Sequence, residues 1–183
     1  MATDTDSYAF LVYKPILCQR EDDRGAILIM EKVIILKGAG SKGKTPTLHL
    51  LIDYLIKKGA SIVHDEGYTS DILKDCFVIL DIPEFGKTGI ITYGDKGCEN
   101  AVRQALDECL KHDCRAIVGA SHMQYDKYPL TVYKILWDFG HSQLAKTVET
   151  TNIIKDDNFG AHLNETHINS ICAENLAHML FML

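Results

Sequence analysis

Arginine is scarce in this chain of 183 residues: Arg20, Arg24, Arg103 and Arg115 are all there are. No arginine-rich lid of guanidinium forks, the side chains that bind phosphate bidentately, is apparent, which weighs against a kinase. Basic residues are also outnumbered, with Lys and Arg totalling 19 against 25 Asp and Glu, for a formal charge of −6. Extended nucleic-acid binding needs clustered Lys and Arg, and the sequence carries no clear signature of it. Six cysteines occur (Cys18, Cys76, Cys98, Cys109, Cys114, Cys172), and none forms a C-x-x-C pair, so zinc ligation has no spacing to support it. No apolar run approaches the roughly 18 residues that a membrane-spanning helix requires. Met1-Ala2-Thr3-Asp4 is acidic and lacks the basic stretch of a secretory signal. The expectation is a cytoplasmic chain with free thiols. There is no internal repeat and no low-complexity tract.

What is present is ordinary globular material, 46% hydrophobic and 24% charged. The length fits a single domain with one buried core. Within it one stretch stands out: Gly38-Ala39-Gly40-Ser41-Lys42-Gly43-Lys44-Thr45, which spells G-x-x-x-x-G-K-S/T. It follows the apolar run Val33-Ile34-Ile35-Leu36 and precedes Leu48, Leu51, Ile52 and Leu55 at helical spacing. Strand, glycine loop, helix is the context a phosphate-binding loop requires. Glycines let main-chain N–H groups approach a phosphate with no Cβ in the way, and the following helix adds its own N–H groups and positive dipole end. By composition alone such a match turns up about once in one or two hundred chains of this length, and the flanking elements make chance rarer still.

On these residues the sequence resembles the P-loop NTPase superfamily, with the Walker A motif at Gly38 to Thr45; the resemblance covers roughly residues 33 to 59. It implies that Gly38, Ala39, Gly40, Ser41, Lys42, Gly43, Lys44 and Thr45 cradle a nucleotide. It also implies that Lys44 reaches the β/γ-phosphates and that the Thr45 hydroxyl ligates Mg²⁺. One departure is Pro46, which has no N–H at a position whose N–H in such proteins commonly binds the α-phosphate. The Thr47 hydroxyl is the available substitute.

Read in order, the chain begins with residues 1 to 29, an appendage ending in the polar cluster Gln19 to Gly25, ahead of a P-loop domain over residues 30 to 183. Strands are expected near Val33 to Lys37, Ala60 to Val63, Cys76 to Asp81, Thr88 to Tyr93, Ala116 to Ala120 and Ala145 to Asn152. Helices are expected near Lys44 to Lys58, from Gly97 to His112, Leu130 to Phe139 and from Asn164 onward. His64 to Ser70 reads as loop. The last helix places Ile168, Ile171, Cys172, Leu176, Met179 and Leu180 on one face. The third and fourth strands lie too close for a crossover, so they form an antiparallel hairpin. The order β-α-β-β-β-α-β-α-β-α argues for an α/β fold, a three-layer α/β/α sandwich with a mainly parallel sheet and one antiparallel strand. Ligands in such sheets bind at the carboxyl ends of the parallel strands.

Mg²⁺ needs a carboxylate besides the Thr45 hydroxyl. Asp81, with Glu84 as a water-activating base, and Asp95 each follow an apolar strand. Opposite strand directions allow only one of them beside the glycine loop. Asp95 leads into a helix and Asp81 into a tight turn, which favours Asp95. Ser121 and His122 end a strand, where Gly119-Ala120-Ser121-His122-Met123 lacks the second Gly of the serine-hydrolase G-x-S-x-G; His122, and His141 after a helix stop, are candidate phosphate or substrate contacts set against a plain surface role. Tyr133, Trp137, Cys109 and Cys172 read as packing residues.

The resemblance implies Mg²⁺ as cofactor with ATP as ligand or substrate. ATP is chosen by elimination, because the N-K-x-D signature of guanine specificity is missing. The leading expectation is slow ATP hydrolysis, with Lys44 and Asp95 at the reacting phosphate. Without an obvious arginine finger in cis, an activating protein partner is implied. A small-molecule or nucleotide kinase and a nucleotide-binding interaction module without turnover remain the alternatives.

Overall fold

The apolar run that starts at Val33 becomes a strand buried on both faces, and the rest of the sheet grows from it. The computed structural model describes residues 30–38, 43–122, 131–143, 145–152 and 165–182. The appendage over residues 1–29 and Ala39, Gly40, Ser41 and Lys42 of the glycine loop lie outside the described residues. The first half of the chain gives β1 (Lys32–Gly38), α1 (Lys44–Lys57), β2 (Ser61–Glu66), β3 (Phe77–Ile82) and β4 (Gly86–Ile91). The second half gives α2 (Glu99–Lys111), β5 (Ala116–His122), α3 (Val132–Ser142), β6 (Thr147–Asn152) and α4 (Glu165–Phe181).

The six strands form one sheet in the order β2-β3-β4-β5-β1-β6. β1 pairs in parallel with β5 and β6, and β5 in parallel with β4. β3 is antiparallel to both its neighbours, so it alone runs against the rest. The chain is therefore α/β with a mainly parallel sheet, and the hairpin expected from the short Pro83-Glu84-Phe85 link is β3–β4.

Period-two alternation sorts the strand residues onto two faces. Ile34, Leu36, Val78, Leu80, Ile90 and Val118 share a core with α1 and α4. Val33, Ile35, Phe77, Ile79, Ile91 and Ile117 share the other with α2 and α3. α1 supplies Leu48, Leu51, Ile52 and Leu55, each at most 1% exposed. Each such burial is worth about 1.5–3 kcal/mol. α1 ends as the sequence suggests: Gly59, at φ +100°, turns the chain while Gly59 N–H donates to Ile56 O (2.9 Å) and Ala60 N–H to Leu55 O (3.0 Å). On the other face two glycines allow close helix approach: a Cβ on Gly89 would sit 2.3 Å from Cys109 Sγ, and one on Gly119 2.6 Å from Leu136 Cδ1.

Two sequence expectations need correction. β2 continues through His64, Asp65 and Glu66, where a loop is expected, because these residues pair with Ile79, Val78 and Phe77 of β3. An edge strand facing water carries no apolar period, so its hydrogen bonds and not its side chains define it. On α4 the buried face is Asn169, Ala173, Leu176, Ala177 and Leu180, and Ile171 is 45% exposed. The stripe is rotated because small residues at 173 and 177 let α4 approach α1. The far end of α4 is anchored by Lys32 of β1, 2% exposed, whose Nζ donates to the carbonyls of Met179 (2.5 Å) and Met182 (2.6 Å) and lies 3.5 Å from Glu149. Among the described residues no helix is long and apolar enough to cross a membrane.

Candidate functional site

Gly38 is the last residue of β1, buried and in register with His122 of β5. The chain re-enters the described residues at Gly43, whose φ of +87° is the left-handed turn that glycine makes without strain. Gly43 is the N-cap of α1, and its carbonyl accepts from Thr47 N–H at 2.9 Å. No side chain caps this helix start and no acidic residue occupies its first turn. The positive end of the α1 dipole is thus not neutralised from within the helix. Pro46 falls inside the first turn, where the lack of an N–H costs the helix nothing.

Beside this helix start lies a cleft of about 290 Å³. Gly43, Lys44 and Thr45 line it on one side and Asp75, Thr92 and Asp95 on the other. The elements explain the convergence. β1 and β4 are parallel, so the segments after both emerge at the same sheet edge. β3 is reversed, so the segment before it arrives at that edge too. Asp95 is steered by Gly94: a Cβ there would lie 3.0 Å from Ala120 Cβ, and His122 N–H donates to Gly94 O at 2.9 Å. The loop after β4 is thereby held against the end of β5, the strand that separates β4 from β1.

Asp75 is the residue that sequence reasoning missed. Its Oδ1 accepts from the Thr45 hydroxyl at 2.9 Å and lies 3.2 Å from Thr92 Oγ1. Thr92 is buried and fixed in turn, since Cys76 N–H donates to its Oγ1 at 2.6 Å. Asp75 precedes its strand, whereas a search for carboxylates at strand ends looks after them. The signal was the hairpin itself, because reversing β3 carries its beginning to the edge where β1 and β4 end.

Lys44 is 6% exposed. Burial pulls its pKa below the usual lysine range, while Asp95 and Asp75 pull it upward. Lys44 is therefore an ammonium partly stripped of water with two carboxylates near it.

Other sequence candidates fall elsewhere. Asp81 pairs with Ser61 and Lys87 at the beginnings of β2 and β4, the opposite edge of the sheet, and Glu84 sits in the turn beyond it. The Thr47 hydroxyl, offered as a substitute for the missing Pro46 N–H, is fully buried and does not line the cleft. Ser121 is 1% exposed and its hydroxyl donates to His122 O, while His122 does not line the cleft. Tyr133, Trp137 and His141 form a ridge on α3: Tyr133 stacks on Trp137 (centroids 5.8 Å apart) and Trp137 meets His141 edge-on at 4.7 Å. Cys109 is in the α2/α3 core, and Cys172 packs against the α1/α4 core. Arg103 lines a separate hollow with Asp138 of α3. Arg115 donates to Phe85 O (2.7 Å) and Glu31 Oε1 (2.9 Å).

Near the start of α1 the cleft offers the Thr45 hydroxyl and the carboxylates of Asp75 and Asp95, all hard oxygens. Among the described residues no group of three or more His, Cys, Asp or Glu is placed to hold a metal by protein ligands alone. Mg²⁺ is bound elsewhere through one or two carboxylates plus water and phosphate oxygens, and these residues fit that pattern. Comparison with known proteins adds no family: no family model matches the chain, nor does any curated protein or solved structure.

Proposed function

We propose that this chain binds Mg²⁺-ATP in the cleft at the start of α1 and hydrolyses it slowly, within a P-loop-like three-layer α/β/α sandwich. The observation that carries the reading is the meeting of Lys44 and Thr45 with Asp75 and Asp95 in one cleft at the carboxyl edge of the parallel strands. In this reading Gly38 to Thr45 and the α1 dipole take the phosphates. Thr45, Asp75 and Asp95 hold the metal, with Asp75 keeping the Thr45 hydroxyl oriented. Bound Mg²⁺ supplies charge neutralisation at the phosphate oxygens. Lys44 stabilises negative charge that develops on the γ-phosphate. Neither Arg103 nor Arg115 lines the cleft, which supports a slow intrinsic rate and stimulation by a partner that brings an arginine, an addition worth about 10³–10⁵ in rate.

The test is isothermal titration with ATP, ADP and GTP in the presence of Mg²⁺, followed by phosphate release, on the wild type and Lys44→Ala. Micromolar ATP binding lost in Lys44→Ala is the expected result. Equal binding by the two proteins, or none by either, refutes the reading.

A further inference from the structure

The same cleft is also lined by α4, through Glu165 and Asn169 one helical turn apart. Asn169 is 5% exposed, and its Oδ1 is buried without a hydrogen-bond partner. A buried carboxamide oxygen is an acceptor waiting for a donor. Phosphate oxygens are acceptors and cannot serve. Leu73, in the segment between β2 and β3, lines the cleft as well and is 75% exposed. With the Pro46 ring, it gives the cleft an apolar element that ions and phosphates do not use.

Building on the nucleotide reading above, we propose that Asn169 reads the base of the bound nucleotide and selects adenine by accepting a hydrogen bond from its 6-amino group. A carboxamide presents an acceptor and a donor side by side, the complement of adenine's 6-amino group and adjacent ring nitrogen. A 6-oxo purine turns an acceptor toward Oδ1 instead and leaves it unsatisfied. Leu73 and Pro46 lie against the flat faces of the ring. The triphosphate occupies the Lys44 end of the cleft and the base the α4 end. Preference for ATP then has a positive cause in this chain: one side-chain oxygen.

The test uses the full chain in Mg²⁺ buffer and three probes: ATP, inosine triphosphate, which replaces the 6-amino group by oxygen, and inorganic tripolyphosphate. ATP is expected to bind roughly tenfold tighter than inosine triphosphate, the worth of one hydrogen bond. Asn169→Ala and Asn169→Ser are expected to bring ATP down to the inosine triphosphate level and to leave tripolyphosphate unchanged. The wild-type comparison stands even where a variant fails to fold. Equal binding of the two nucleotides by the wild type, or a preference that survives in Asn169→Ala, overturns the base contact alone. Binding of none of the three probes overturns the nucleotide reading with it.

Discussion

Replacing Asp75 by Asn separates a metal-side carboxylate from a merely structural one. The substitution keeps the side chain's shape and its ability to accept from the Thr45 hydroxyl, now 2.9 Å away, but removes the negative charge. Asp75 is exposed, so water takes over much of what the carboxylate did for the fold. The loss of stability is expected to stay within about 0.5 kcal/mol. The effect on metal is far larger, because carboxylates that orient or ligate at a metal site are worth about 10–100-fold in affinity. That corresponds to about 1.4–2.8 kcal/mol. The assay is a Mg²⁺ titration at fixed ATP, read by binding or phosphate release, beside a thermal melt. Asp75→Asn should raise the Mg²⁺ midpoint 10–100-fold, while metal-free ATP binds equally well or more tightly, since a like charge has left the cleft. A variant that loses ATP affinity equally with and without Mg²⁺ would show that Asp75 only holds the loop, and a Mg²⁺ midpoint that moves for Asp95→Asn alone would return the role to Asp95.

The remaining predictions concern a titration and two structural contacts. Lys44 has a lowered pKa, chiefly through burial, and bound phosphate raises it. On the proposed reading, ATP affinity should be full below the free protein's Lys44 pKa and decline as pH rises through it, starting below the ordinary lysine value of 10.5. Lys44→Arg should abolish that alkaline limb in a pH series of titrations. Lys32→Met leaves the carbonyls of Met179 and Met182 without their buried ammonium, and should cost about 2–3 kcal/mol in urea unfolding. Glu84 stands at φ +64° in the turn between Ile82 and Phe85. Glu84→Gly should raise stability by up to about 1 kcal/mol, because the left-handed strain of an L-residue exceeds glycine's entropic cost, and a melting temperature that falls would contradict this.

Much of the site was legible because its signals are local. Gly43, Lys44 and Thr45 declare themselves by spacing within a few residues. Strand direction left room for only one of Asp81 and Asp95, the helix that follows Asp95 favoured it, and Asp81 lies at the opposite edge. Asp75 and Asn169 were not legible, since each faces the cleft across a gap of many residues. Asn169 in particular sits where α4 was expected to show an apolar stripe one position away.

The sequence by itself determined the order of elements, the buried parallel core and the glycine loop at a helix start. Those follow from apolar period, from glycine's freedom and from the short link that forces a hairpin. Tertiary structure alone decided that β5 lies between β1 and β4, that the reversed β3 brings Asp75 to Thr45, and that α4 turns Asn169 toward the same cleft. The physical reason is that pairing order and helix rotation are set by long-range packing, by which strand fills which gap and which small residues admit a neighbouring helix.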